Sequence, residues 1–454
     1  MLVGSLHLGH LATESLGPPL RGTSRAPGRV LDGLIARLRR FRRIFILLAV
    51  IGPGLITMNA GNDAGAIATY SQAGAEFGFR MLWLLVVITL SLAVVNEMGA
   101  RMGVVTGKGL ADLIRERFGV RSTTFAMLLL LVANAVTTTA EFAGVAAALE
   151  LCHVPRFASV PVVAIAIWLL IGRGSYPVVE RVLLTIGVVY LAYIISGLLA
   201  HPDWRTVGTS IVLPRPDSNR AYFLLAIGLV GTTIAPWMQF YLQSSVAEKG
   251  IPNEQLGYSQ VDVVSGAIFA DVVAFFIIVA AAATLYGHLT PGQLGNMQAA
   301  DYARALSPVV GSGAAILFAV GLLGASLLSA GVVPLSTAYT VTEAFGWERG
   351  VGQRMAEAPA FFGIFSGLIV IGAVTVLVPG VPLVSLILLS QEINGLILSA
   401  ILIYMLVLVN DRRVMGRYVN GVVANLIGGA TVLLLVVMTA LLLLSVLPGS
   451  PLSG

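Results

Sequence analysis

Residues 52–66 read Gly-Pro-Gly-Leu-Ile-Thr-Met-Asn-Ala-Gly-Asn-Asp-Ala-Gly-Ala, and residues 228–237 read Gly-Leu-Val-Gly-Thr-Thr-Ile-Ala-Pro-Trp. Each stretch interrupts a long apolar run. Gly61, Asn62, Asp63 and Gly65 are a poor recipe for continuous helix, because Gly pays maximal backbone entropy and Asn and Asp compete for backbone hydrogen bonds. In the second stretch Pro236 has no N–H to offer the carbonyl four residues earlier, that of Thr232. Unwound backbone at membrane depth persists only where protein or a water-filled cavity surrounds it. Its freed carbonyls, that of Thr232 among them, are then available to a cation.

The surrounding runs establish the membrane. Of the 454 residues 57% are hydrophobic and only 11% charged, and the mean hydropathy is +0.91; a soluble domain carries charge on about a quarter of its residues. The apolar runs are continuous, whereas a membrane barrel requires short alternating segments. The expected protein is therefore all-α and polytopic. About eleven spans fall at 44–70, 81–104, 122–150, 158–173, 178–200, 221–248, 259–287, 309–340, 359–378, 383–409 and 420–447, each near the length a bilayer needs.

The breaks fall in the first and sixth of these spans. A unit of five spans crosses an odd number of times, so its second copy starts from the opposite side. That is a five-plus-five inverted repeat, an arrangement associated with transporters whose sites lie at discontinuous helices. The domain reading follows: a basic tail at 1–43, a first repeat at 44–200, a second at 201–410, and an eleventh span with the C-terminus at 411–454. Residues 1–43 lack the apolar core of a signal peptide. With the N-terminus cytoplasmic, 21 of the 27 Lys and Arg lie on the cytoplasmic side, which puts the C-terminus outside the cell membrane. The net charge of +5 thus belongs to the loops and serves orientation. The expected partners are the lipid bilayer and small ions, with no nucleic acid, and the chain is read as a monomer.

Charged residues within spans are costly and each needs an account. Asp63 lies in the first break, where a bound cation and the N-terminus of the following half-helix can stabilise a carboxylate. Gln391, in the tenth span beside Glu392 and Asn394, offers a neutral amide oxygen or a packing hydrogen bond. Glu141, after Thr137, Thr138 and Thr139, suits a proton relay, an access path or a pairing with a buried donor. Asp271 in the seventh span is equally open. Glu97 and Arg101 are read as an i, i+4 ion pair. Cys152 stands alone, so no disulfide framework or thiolate cluster is expected. None of the five histidines lies at a span centre. Met58 and Met238, the thioethers nearest the breaks, are read first as core. The available ligands are carboxylate, carbonyl, amide and water, which suit Mg²⁺, Ca²⁺ or Mn²⁺.

From Gly52 to about Arg417 the chain resembles the Nramp family of divalent-metal transporters, proteins of the LeuT fold. The similarity is carried by Gly52-Pro53-Gly54, Asp63-x-Gly65, Gln72-Ala73-Gly74-Ala75, Thr106-Gly107-Lys108, Ala140-Glu141-Phe142, Pro236, Val261-Asp262-Val263, Ser390-Gln391 and the stretch 412–416. The resemblance implies a metal site from Asp63, Gln391 and the carbonyls of Ala60 and Thr232, with the metal as substrate and no resident cofactor. It also exposes departures. The family's first-break motif Asp-Pro-Gly-Asn is here Asp63-Ala64-Gly65-Ala66, so the Asn ligand is gone. The family's Met-Pro-His is here Ala235-Pro236-Trp237, so the metal-binding methionine is Ala235 and the histidine linked to proton coupling is Trp237. The acidic residue three before the third-span Glu is Thr138.

A site without the thioether and the Asn is roomier and harder. Mg²⁺ holds its waters strongly and keeps several when bound, so the pattern looks like the Nramp-related magnesium transporter branch. The expectation is import of partly hydrated Mg²⁺, with Mn²⁺ also carried, by alternating access with weak or no proton coupling. The alternative is a proton-coupled Mn²⁺/Fe²⁺ symporter in which Met58 or Met238 replaces the missing thioether. An amino-acid symporter of the same fold would place Asp63 against a substrate carboxylate. An intramembrane protease would need His-Glu-x-x-His or a facing pair of aspartates in a protease motif, so no enzyme is expected.

Overall fold

A computed structural model describes residues 61–172, 190–217, 219–294, 296–350 and 353–446. The tail 1–43, Gly52-Pro53-Gly54, Met58, Ala60 and most of the fifth expected span lie outside the described residues. Residues 51–454 belong to one compact unit.

The apolar runs fold as helices where they were expected. In chain order they are α1 (Ala64–Phe77), α2 (Leu82–Thr106), α3 (Leu110–Leu151), α4 (Arg156–Gly172), α5 (Tyr190–Leu199), α6 (Trp204–Val212), α7 (Arg220–Thr233), α8 (Pro236–Glu248), α9 (Leu256–Leu285), α10 (Ala314–Phe345), α11 (Pro359–Leu377), α12 (Leu383–Asn410) and α13 (Val422–Val446). Single-turn and two-turn helices fill the connections before α10 and α13, and no strand occurs among the described residues. Eight helical stretches among the described residues are long and apolar enough to cross a membrane, the pair α1–α2 counting as one stretch and α7–α8 as another.

Local chemistry sets the ends. The Asn219 side chain caps α7 by accepting from the Tyr222 N–H at 2.7 Å, one of the four donors every helix start leaves unpaired. Gly107 ends α2 in the left-handed region, at φ 65°. The third span differs from expectation: α3 begins at Leu110, twelve residues before the anticipated 122, and bends at Gly119. Its first turns carry Asp112, Arg115, Glu116 and Arg117, too polar for the apolar criterion but well suited to helix outside the hydrocarbon. The eighth span likewise runs on to Phe345, where Gly346 stops it.

The sixth span breaks where Pro236 predicts. α7 closes with the Ile234 N–H on the Val230 carbonyl at 2.9 Å, Ala235 is extended at φ −67°, ψ 141°, and α8 restarts with Pro236 as its first residue. Proline suits that position because its missing N–H would be unpaired there anyway.

The packing gathers around the breaks. α3 lies against α10, α12 and α11, α9 against α1 and α2, and α7 against α12. The α7–α12 crossing is backbone to backbone: a Cβ on Gly231 would stand 2.2 Å from the Gln391 carbonyl oxygen and 2.3 Å from the Gly395 nitrogen. Without an aqueous driving force between helices in lipid, such small-residue contacts hold helices together through dispersion. Leu90, Leu128, Ile165, Val374, Leu426 and Leu433 are instead exposed, the outer surface expected of a bundle facing acyl chains. The buried Arg101 is paired. The Arg101 guanidinium donates to Glu97 and to the Tyr418 carbonyl at 3.0 and 2.9 Å, and to the Asn420 side-chain oxygen. That bears out the i, i+4 pair and extends it to the segment before α13.

Candidate cation site

Asp63 is the N-cap of α1. One carboxylate oxygen accepts the Ala66 N–H at 2.8 Å, and the residue is 4% exposed. The helix starts at Ala64, so Gly65, read from sequence as part of the unwound stretch, is helical. Its role is spatial instead. A Cβ on Gly65 would sit 1.8 Å from Gln391 Nε2 and 2.4 Å from Gln391 Cδ. Only a glycine lets the Gln391 amide lie directly on the start of α1.

Gln391 is held there by its own helix: Nε2 donates to Ser390 Oγ at 2.9 Å, and Oε1 accepts from the Asn394 amide at 3.4 Å. Asn394 also donates to Thr137 Oγ1 at 2.9 Å, tying α12 to α3. Because the Gln391 backbone touches Gly231, the same crossing brings the end of α7, with Thr232, beside it. Thr232 is buried, its hydroxyl has no partner, and Pro236 leaves its carbonyl without the usual donor. The Gln391 side chain thus lies on Gly65, two residues from Asp63, and its backbone lies on Gly231, next in the chain to Thr232, while the Ala60 carbonyl lies outside the described residues.

Glu141 approaches the same helix start from α3. Its Oε2 accepts the Ala64 N–H at 3.4 Å, its Oε1 has no partner, and it is fully buried. The Ala64 N–H is thus a buried donor to Glu141. Two carboxyls thus meet at the positive end of one helix, where unpaired N–H groups favour negative charge. Burying both as ions without a compensating cation would be strongly unfavourable.

The departure positions are apolar or committed. Ala66 and Ala235 are buried and contribute no side-chain donor. The Thr138 hydroxyl donates to the Asn134 carbonyl at 2.7 Å, and its methyl lies near Gly372 of α11. Trp237 is 1% exposed, its indole N–H is unpartnered, and its ring lies 6.0 Å from that of Tyr241. Met238 was read first as core. It is buried, but its Cε lies 3.0 Å from where a Gly61 Cβ would be, so the thioether borders the first break. Sequence reading also missed the Tyr70 hydroxyl, which bonds Thr233 Oγ1 at 2.8 Å across α1 and α7. The hint available was a tyrosine one helical turn from a break residue's face. Among the described residues no group of three or more His, Cys, Asp or Glu is placed to hold a metal, so any cation here relies on one or two carboxylates with neutral oxygens.

A polytopic helical bundle with broken helices and buried oxygen ligands at the break defines a membrane transporter. Its sequence matches the family described as natural resistance-associated macrophage protein-like over residues 54–445. It is 30% identical over 439 residues to the divalent metal cation transporter MntH of Burkholderia ambifaria, covering 93% of each chain. Its fold is similar to that of the Eremococcus coleocola manganese transporter, with a TM-score of 0.73, 22% identity and coverage of 88% of this chain and 86% of that one. A more distant likeness is to MhsT in complex with L-phenylalanine, at TM-score 0.55, 15% identity and coverage of 89% and 98%. The chain belongs to the Nramp family, has the LeuT-type fold, and is a transporter rather than an enzyme.

Proposed function

We propose that the protein imports divalent cations by alternating access, taking Mg²⁺ as a partly hydrated ion and also Mn²⁺, with weak or no coupling to protons. One observation carries the ion preference: at the two positions where the resemblance expects soft or amide side-chain ligands, the buried residues are Ala66 and Ala235. What is left is the Asp63 carboxylate, the Gln391 amide and the carbonyls of Ala60 and Thr232. Hard oxygen ligands with space for water suit Mg²⁺, which dehydrates reluctantly and is usually held through one or two carboxylates. The weak coupling rests on Trp237 and Thr138, neither of which titrates.

Met238 supports a second reading. Its thioether lies beside Gly61, and a thioether ligand in place of the missing methionine would favour a softer ion and an ordinary proton-coupled Mn²⁺/Fe²⁺ symporter. Competition separates the two. Excess Mg²⁺ should suppress Mn²⁺ uptake into proteoliposomes under the first reading, and Met238→Ala should leave that competition unchanged. Mn²⁺ uptake indifferent to Mg²⁺ and lost in Met238→Ala would establish the second.

A further inference from the structure

A small cavity borders the first break, bounded among others by Asn62, Tyr70, Asn96, Thr233, Met238 and Asp271. These residues come from the break itself, α1, α2, α7, α8 and α9. The cavity offers about 10 Å³ to the centre of a water-sized body, which is room for roughly one such body. Its walls carry two oxygens whose bonding is unmet. Asp271 Oδ2 and Asn96 Oδ1 have no partner, on residues only 4% and 3% exposed. Buried polar atoms in folded proteins are nearly always bonded, so two orphaned acceptors facing one small space point to a missing donor or cation.

The donor set suits a cation. Both orphaned atoms are oxygens, and one belongs to a carboxyl group. The C-terminal end of α7, the negative end of its dipole, closes at Thr233 on the cavity wall. Thr233 donates its hydroxyl hydrogen to the Leu229 carbonyl at 2.7 Å, so towards Tyr70 it acts as acceptor. The size argues for a monovalent ion, because a divalent ion that keeps several waters does not fit a space for one body.

We propose that this cavity is a second cation site, distinct from the one at Asp63, and that it takes a bare Na⁺ ion on Asp271 and Asn96. Asn62 lines it and is adjacent in the chain to Asp63, so an ion here and an ion at Asp63 act on the same break. Occupancy of one site therefore changes the affinity of the other, and reciprocally. The proposal does not depend on which divalent ion the Asp63 site prefers.

The test is ²²Na⁺ binding to the purified protein, with choline as the ionic-strength control and Mn²⁺ binding measured on the same samples. Saturable ²²Na⁺ binding is expected in the wild type. It should fall about tenfold or more in Asp271→Asn and to a lesser degree in Asn96→Ala, the order expected for losing a charged and then a neutral contact. Retained Mn²⁺ binding by Asp271→Asn shows that the variant is folded; should it fail to fold, the wild type and Asn96→Ala decide. No saturable binding by the wild type overturns the proposal. So does binding that Asp271→Asn, or in its absence Asn96→Ala, leaves unchanged. Displacement of ²²Na⁺ by choline as readily as by unlabelled Na⁺ also overturns it. A failure of divalent transport would leave this binding result standing, so the two readings fail separately.

Discussion

Replacing Gly65 by alanine tests whether the start of α1 and Gln391 form one site. The new methyl would sit 1.8 Å from Gln391 Nε2, 2.4 Å from Cδ and 2.9 Å from Cγ. Those are side-chain atoms, so the helix crossing survives and the glutamine must swing away. In leaving it gives up its bonds to Ser390 and Asn394 and carries its amide oxygen off the site. Leaving buried polar groups unsatisfied costs about 1–3 kcal/mol, or roughly 5- to 150-fold in metal affinity if the loss appears in binding. Calorimetric titration of Mn²⁺ into the detergent-solubilised protein reads that loss, and a thermal melt shows whether the fold is kept. A double-mutant cycle sharpens the result. If the methyl acts only through the glutamine, Gly65→Ala costs little more once Gln391 is already alanine. Wild-type affinity in Gly65→Ala, or fully additive losses, would refute the argued contact.

Three further outcomes follow from the geometry. Ala235→Met restores a thioether at the extended residue of the break and should shift the uptake ratio towards Cd²⁺ and Mn²⁺ over Mg²⁺ by about tenfold, measured by competition in proteoliposomes. Arg101→Ala strips a mostly buried cation from Glu97, Asn420 and the Tyr418 carbonyl and should destabilise by about 3 kcal/mol, read as a lower melting temperature. At the end of α12, the Asp411 carboxyl is held below its ordinary value by the Arg413 N–H and then by Arg117, which it pairs at 2.5 Å. A depressed carboxyl stabilises above its unfolded value and loses that contribution as pH falls through its folded one. The difference in unfolding midpoint between wild type and Asp411→Asn should therefore hold from neutral to mildly acid pH and shrink below about pH 4.

Much of the architecture was legible because lipid makes the sequence explicit. Continuous apolar runs marked α2, α4, α9, α11 and α12 to within about three residues, and Pro236 marked the α7–α8 break through its missing N–H. The polar first turns of α3 were missed, since Arg115, Glu116 and Arg117 satisfy helix propensity and fail an apolar criterion. At the site, Asp63 announced itself as an intramembrane carboxylate. The meaning of Gly65 did not. A glycine beside Asn62 and Asp63 reads as a helix breaker, and only the closeness of Gln391, over three hundred residues away in sequence, shows that it makes room for a partner. The cavity at Asp271 and Asn96 was hidden for the same reason. Asp271 stood out as a carboxylate in a span and Asn96 was passed over, and their meeting across α2 and α9 is tertiary.

The most direct test of the account is Mg²⁺ flux into proteoliposomes holding the purified protein, with lumenal pH recorded together and Asp63→Ala alongside. The account predicts Mg²⁺ entry without acidification, abolished in the variant. Acidification accompanying Mn²⁺ entry, with Mg²⁺ neither entering nor competing, would contradict it.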